Sequence, residues 1–434
     1  MKLSTLTQMI ASRIAMMSGG IDGKRPRAWQ EYGFPEKLDF DDLYNAYRRV
    51  DIAHGAVERL VEKCWQSQPW VIQGDESRNA SALTPTEAAW GRLFKDLDFW
   101  SVFQDADRKR LVGRYAGIIL YWADSKTWDQ PVEGTPRLAK LEAVWANQIK
   151  PETWYEDETD PETYGKPRTY TYKQPSFGGS PAQDKTIHAD RMFILGCMDP
   201  RTPAFLEPGY NQLVNLEKIT GGSGESILKA ASQNVVLEYD KDVDLSQIAE
   251  SQGLTMGEMQ EFLDARARDW AAGVDKMMAL QGARAVNLQP GAIDPRGPFE
   301  VAVSAFAASV RIPTKILIGN QQGERASSED MKDFNARGQG RRVSQLSPDV
   351  LALLRHVERF GFVRLGDEVS VMWDDLTRPT LSERLADAKT MAETAQLGIM
   401  SGVPYYSDEE IREVAGYDGT ADALEGLGDG ADEA

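Results

Sequence analysis

Apolar positions along this chain follow two periods, and the switches between them mark out its elements. From Leu43 through Tyr47, Val50, Val57, Leu60, Val61 and Cys64 the spacing is helical. A helix is expected to open at Asp41-Asp42, where acidic side chains favour its positive end, and to stop at Pro69. Trp70-Val71-Ile72 reads as a strand. Thr84-Pro85-Thr86-Glu87 opens a second helix, with Pro early in it, that carries Leu93, Phe94, Leu97, Trp100 and Phe103; a third lies around Arg108 to Arg114. Tyr115 to Trp122 is apolar and β-rich, which predicts a buried strand. Residues 138 to 200 read mostly as β, at Leu141 to Ile149, Thr169 to Tyr172 and Met192 to Leu195. An acidic insertion at Glu156 to Glu162 and a Gly/Ser/Pro one at Pro175 to Pro181 separate them.

Helices return at Tyr210 to Ile219 and Glu225 to Ala231. The glycine-rich Thr220-Gly221-Gly222-Ser223-Gly224 between them reads as a flexible link, because a phosphate-cradling loop needs a preceding strand and a following Gly-Lys-Ser/Thr. Strands are expected at Val235 to Tyr239, Ala285 to Leu288 and Glu368 to Trp373, and helices at Ser246 to about Leu280, Thr380 to Leu397 and Asp408 to Val414. The mixture is of the α+β class. Residues 1 to about 38 read as an extended arm, disordered or docked on a neighbour, and the Gly/Ala/Asp-rich end after Tyr417 reads as disordered.

The stretch from Phe299 to Phe360 says most about function. A short apolar helix breaks at Arg311-Ile312-Pro313, and an apolar turn follows at Ile316-Leu317-Ile318-Gly319-Asn320. A nearly all-polar helix starts at Ser327-Ser328 and leads to an amphipathic one over Pro348 to Phe360. A helix with so little apolar stripe has nothing to bury in a lone globule. It is expected to line a wet channel or to stand beside copies of itself, which points to assembly rather than to a catalytic pocket.

Composition narrows the picture. The chain has 434 residues, 41% apolar and 27% charged, with a formal net charge of -18. No run approaches the roughly 20 apolar residues that cross a bilayer, and the N-terminus lacks the core and cleavage site of a signal peptide. Cys64 and Cys197 exclude a disulfide framework and fit a reducing compartment. Tight, sequence-independent DNA binding needs a basic surface, so the acidity argues against it, yet repulsion would let DNA slide past without sticking.

Little of the sequence looks catalytic. His54, His188 and His356 have no metal-ligand spacing, and no cofactor is expected. The carboxylate pairs Asp41-Asp42, Asp374-Asp375 and Glu409-Glu410 sit where helix capping explains them. The basic cluster is Arg337, Arg341 and Arg342. It is expected either to bridge to Glu329, Asp330 or Asp333 of a neighbouring subunit or to touch passing DNA phosphate. Gly338 and Gly340 cost about 1 kcal/mol each against Ala and would permit a kink or the close approach of a neighbouring helix.

In this order the blocks resemble the portal proteins of tailed bacteriophages, in the branch with compact portals. They are Tyr32-Gly33-Phe34-Pro35 with Phe40-Asp41-Asp42-Leu43-Tyr44 and the helix ending at Trp65 and Pro69-Trp70; Gly113-Arg114-Tyr115-Ala116-Gly117-Ile118-Ile119; Ile187-His188-Ala189-Asp190-Arg191-Met192; the 299–360 segment; and Trp373-Asp374-Asp375-Leu376 with the helices beyond it. They span most of residues 32 to 415.

The resemblance implies a non-enzymatic ring, a dodecamer, at one capsid vertex of the virion, assembled in the host cytoplasm. Double-stranded DNA would pass through its channel, and its partners would be the large terminase, a neck or tail adaptor and the major capsid or scaffolding protein. By position it implies an arm at 1–38, a mixed α/β wing at 39–298, a first stem helix at 299–311, a short clip at 312–326 and a second stem helix at 327–345. A channel helix and wing return at 346–378, a small helical crown at 379–416 and an acidic tail at 417–434 would follow. Lys315, Asn320, Gln321, Gln322 and Glu324 would meet the terminase or adaptor, and Arg337, Arg341, Arg342, Glu329 and Asp333 the channel or the next subunit. Replacing Arg341 and Arg342 with Glu would then disturb assembly or packaging while leaving the subunit folded. Rival readings are another head-morphogenesis or adaptor protein, or a metal-dependent nuclease or phosphodiesterase that needs Asp374, Asp375 or His188 to converge on an ion.

Overall fold

The computed structural model describes residues 28–74, 83–176, 181–231, 235–239, 245–251, 253–271, 283–287, 294–319, 324–361, 364–366, 368–400 and 405–417. After a helical turn at Ala28–Glu31 come α1 (Phe40–Arg49), α2 (Asp51–Cys64), β1 (Trp70–Gln73), α3 (Pro85–Asp96) and α4 (Phe99–Gly113). Strands β2 (Tyr115–Trp122), β3 (Leu138–Trp145), β4 (Ile149–Trp154), β5 (Pro167–Gln174), β6 (Gln183–His188) and β7 (Met192–Gly196) follow. Next are α5 (Tyr210–Ala231), β8 (Val235–Tyr239), α6 (Leu245–Ser251), α7 (Met256–Ala271) and β9 (Ala283–Asn287). The chain continues through α8 (Arg296–Val310), α9 (Thr314–Ile318), α10 (Glu324–Arg341), α11 (Ser347–Glu358), β10 (Val369–Met372), α12 (Leu381–Met400) and α13 (Asp408–Ala415).

The first expected helix is two, because Val50 takes an extended conformation between α1 and α2. A capping box starts α1, with Asp42 N–H donating to Asp39 and Asp39 N–H to Asp42, each at 3.0 Å. At α3 the box is Thr84 and Glu87, and Glu87 also accepts from Gln73 N–H at 2.8 Å, which ties α3 to β1. β1 pairs antiparallel with β10.

The expected buried strand is β2, the middle of the antiparallel order β3-β2-β7. Its two faces serve two cores. Ile118 and Leu120 enter the main core with Phe103 and Ala106 of α4, while Ile119 joins Ile149, Tyr170, Tyr172, Ile187 and Met192 from the sheet β4-β5-β6. Gly117 lies where the sheets close: a Cβ there would stand 2.1 Å from Ile149 Cδ1.

The segment 210–310 departs from the expected plan. α5 runs unbroken through Thr220-Gly221-Gly222-Ser223-Gly224, so the flexible link is instead helix. Thr220 Oγ1 donates to Leu216 O at 2.8 Å and Ser223 Oγ to Thr220 O at 2.9 Å, satisfying the hydroxyls on the helix itself. α5 packs against α8, with Leu213, Leu216, Ala302, Val303 and Phe306 buried at its foot. Farther along, Ile227 and Leu228 are exposed, and no atom lies within 4 Å of a Cβ built at Gly221, Gly222 or Gly224. Between the helices, β8 and β9 pair antiparallel, and the two helices that lie between them in sequence, α6 and α7, touch each other. The expected long helix from Ser246 is broken at Gly253, which has a positive φ of 70°; residues 272–280 lie outside those described.

The helices expected as the stem are not each other's main partners. Helix 299–311 pairs with α5 rather than with 327–345. Of the expected turn at Ile316 to Asn320, residues 316–318 belong to the short helix α9, with Leu317 buried against α2. Of the segment expected as the clip, residues 312–318 are thus seated on the main core, and residues 320–323 lie outside those described. Of the expected arm, residues 28–34 lie on α5 of the same chain, where Lys218 donates to Tyr32 O and sits 4.8 Å from the Phe34 ring centre. Residues 1–27 and the tail beyond 417 lie outside those described.

Candidate functional site

The polar helix does have an interior. α10 lies against α2, burying Phe334 and Gly338; a Cβ at Gly338 would meet Leu376 at 3.0 Å and Lys63 at 3.3 Å. The close approach expected of that glycine is real, and its partner belongs to the same chain. Arg341 and Arg342 are 8% and 0% exposed, so the expectation that they face a channel or a neighbouring subunit is corrected.

Arg341 meets the fully buried carboxylate of Asp107 on α4 through two bonds, Nη1 to Oδ2 at 2.9 Å and Nη2 to Oδ1 at 2.5 Å. Asp107 also accepts from Arg110 Nη2 at 2.5 Å and from Trp65 Nε1 at 3.1 Å. Burial alone would raise its pKa, but the charges of Arg341 and Arg110 and these bonds hold it well below the usual carboxylate range. Arg110 reaches on to Asp349 of α11 at 2.5 Å. One acid thus joins α4, the end of α2, α10 and α11.

Arg342 works differently. Its Nε donates to Cys64 O and its Nη1 to Asp374 O, both at 2.7 Å, while the guanidinium lies 4.8 Å from the Trp373 ring centre. It neutralises the carbonyl end of α2. Arg337 is half-buried and donates to Val310 O at 2.5 Å and to Arg311 O, which caps α8 in the same way.

Neighbouring residues on an α-helix point about 100° apart, since a turn holds about 3.6 residues. Arg341 and Arg342 accordingly serve different elements. Directly after them, Arg342–Leu346 forms a π-helical turn that joins α10 to α11 without a break. Pro348 supplies the reason, having no N–H to give to Ser344 O.

Glu329 and Asp333 are on the exposed side of α10, where Lys332 reaches Glu383 of α12 at 3.1 Å. Lys315 is half-buried on α9. Asn320, Gln321 and Gln322 lie outside the described residues, as does the side chain of Glu324. The rival nuclease set is engaged piecemeal: His188 Nδ1 accepts from Asp190 N–H at 3.2 Å, and Asp375 accepts from Thr377 N–H at 2.8 Å. Among the described residues no three His, Cys, Asp or Glu side chains are grouped to hold a metal ion. No described helix is long and apolar enough to cross a membrane.

The residue that the sequence reading missed is Asp107. Its signal was an acid at helical spacing from Phe99 and Phe103, on the apolar side of the helix, whereas Asp105 lies off that side.

Beside this network, α4, α10 and the loop after β7 frame an open groove of about 660 Å³ walled by Arg110, Arg114, Arg311, Arg337 and Arg341, with Arg311 just past the end of α8. Arg311 is exposed and stands at a left-handed φ of 53°, where α8 ends. Cys197 lines the same groove; a bond from Thr202 and one from the Asp199 backbone bring its thiol below the ordinary range.

No protein-family model and no curated protein sequence matches this chain. Solved structures do. A chain in the neck of an empty gene transfer agent (GTA) particle, computed with C6 symmetry, matches with a TM-score of 0.50 and 16% identity over 95% of this chain and 100% of that one. A chain in the neck of a native GTA particle, computed with C12 symmetry, gives 0.50 and 14% over the same shares. An HK97 family phage portal protein from Corynebacterium diphtheriae gives 0.41 and 8% over 78% of this chain and 98% of that one. At such identities the likeness is one of fold. The mixed α+β fold expected from the resemblance is borne out.

Proposed function

We propose that this chain is a portal protein: one subunit of a ring at a unique capsid vertex, through which double-stranded DNA is packaged and ejected. The observation that carries the reading is a shared fold along 95% of this chain and all of a chain from a GTA neck computed with C12 symmetry. Twelve-fold symmetry in that particle supports a dodecamer here.

In this reading α5 and α8 form the stem. Its exposed glycine-rich flank suits helices packing beside their counterparts in the ring. The module from β8 to β9 is the clip that meets the large terminase and then the neck or tail adaptor. The exposed half of α10, with Glu329 and Asp333, faces the channel. A net charge of -18 suits a passage that must not grip its cargo. Strands β2 to β7 belong to the wing, which the major capsid or scaffolding protein would touch, and α12 and α13 form the crown. The role is structural, with ATP hydrolysis left to the motor.

Light scattering on the purified protein and negative-stain images test this. A ring near twelve times the 48.3 kDa subunit mass is expected. A monomer under every condition tried would refute it.

A further inference from the structure

We propose that the arginine groove framed by α4, α10 and the loop after β7 seats a carboxylate-bearing segment of the next copy of this chain. The inference rests on the ring reading and specifies one contact within it.

The groove holds more positive charge than its own chain neutralises. Five arginines line it, and three carboxylates answer them: Asp107 to Arg341 and Arg110, Asp349 to Arg110, and Glu207 to Arg114 at 3.4 Å. Arg311 has no acidic partner among the described residues. Arg337 gives its bonds to the carbonyls of Val310 and Arg311 and makes no ion pair among the described residues, although the charge of Asp333 one turn earlier acts on it. Arg114 Nε is buried and has no hydrogen-bond partner. Burial, with Arg311 and Arg341 close by, weakens the hold of Arg337 on its own proton, as expected where like charges crowd.

A second copy fits this site better than DNA does. The wall also includes the half-buried Leu111 and Phe205, and a protein segment can cover such apolar surface while offering a carboxylate to two guanidinium groups. A duplex phosphate backbone rides outside the groove and leaves that surface wet. The chain carries 67 acidic against 49 basic residues, so a further copy brings carboxylates in excess. A head-to-tail ring contact joins two different patches, as an arginine groove and an acidic segment are.

Cys197 reports on the groove, since Cys64, the other cysteine of the chain, is buried. Maleimide labelling of Cys197 is expected to be about tenfold slower in the ring than in subunits dissociated by salt. A benzophenone carried on Cys197 should cross-link to an acidic peptide of a different chain. Arg311→Glu should lower ring yield about tenfold with unchanged circular dichroism; Arg311→Gln gives a smaller drop and serves if the reversal does not fold. Equal Cys197 reactivity in a ring that does form, or cross-links within one chain only, overturns the proposal and leaves the ring reading standing. Protection of Cys197 in isolated subunits by short duplex DNA overturns it in favour of phosphate. Absence of any wild-type ring overturns both.

Discussion

Arg341 and Asp107 lie 234 positions apart in the chain and meet as a two-bond pair in the interior, at 2.9 and 2.5 Å. Removing one partner leaves the other charged and buried, which costs about 3–5 kcal/mol, whereas replacing both with apolar groups is close to neutral. Asp107 keeps Arg110 and Trp65 when Arg341 is replaced, so Arg341→Met is expected to cost toward the lower end of that range, about 3 kcal/mol, and adding Asp107→Leu to restore little, because Arg110 and Trp65 Nε1 then lose their acceptor. Urea denaturation of the dissociated subunit measures both.

Arg341→Glu combined with Arg342→Glu should yield no folded subunit. One new carboxylate would face Asp107, and the other would face the carbonyls of Cys64 and Asp374. From sequence alone the same change was expected to spare folding, so soluble expression and far-ultraviolet circular dichroism separate the two expectations.

Gly117 and Gly340 should respond in opposite directions. Gly117→Val would drive carbon into Ile149 and Met192 and overpack the junction of the two sheets, at a cost of about 1–3 kcal/mol or more. Gly340→Ala meets nothing within 4 Å and should stabilise α10 by up to about 1 kcal/mol. Thermal melts of the two variants test the contrast.

Stability should fall in two stages on acidification. Burial holds His356 below its ordinary pKa, so the unfolded chain binds the extra proton first, and stability declines as pH drops below about 6.5. Asp107 is also depressed; its contribution is complete above about pH 4 and is lost as pH falls toward its folded value. His356 Nε2 lies 3.1 Å from Asp190 O. His356→Gln keeps a donor there and should flatten the upper stage alone in urea titrations between pH 4 and 8.

Replacing residues 235–287 with a short Gly-Ser linker should leave a folded, ring-forming subunit that no longer binds large terminase. Within it β8 pairs with β9, and outside it α5 and α8 pair with each other. Negative-stain imaging and a terminase pull-down give the two readouts.

Elements whose signal is local were legible in the sequence. Tyr115 to Trp122 is apolar on both faces because it separates two cores, and Ser407 with Glu410 caps α13 where the Asp408 helix was expected. What was misread depends on distant partners. Three glycines within Thr220 to Glu225 argue locally against helix, yet α5 continues through them. The charge density of α10 suggested a helix needing sister copies, whereas its arginines bind Asp107, Cys64 and Asp374, none of them near in sequence. The pairing of α5 with α8, about 80 residues apart in the chain, left no local signal either.

The unbroken run from Glu324 through the π-helical turn to Glu358 is a rod about 50 Å long at about 1.5 Å per residue. Arg341 and Arg342 fasten it near its midpoint, one to α4 and the other to the end of α2. A shaft pinned there and seated on α2 at Phe334 and Gly338 transmits load rather than absorbing it: a push on its polar end passes through the two arginines to α4 and to the amphipathic half beyond. Force applied near Glu329 would thus be felt at the far side of the same subunit.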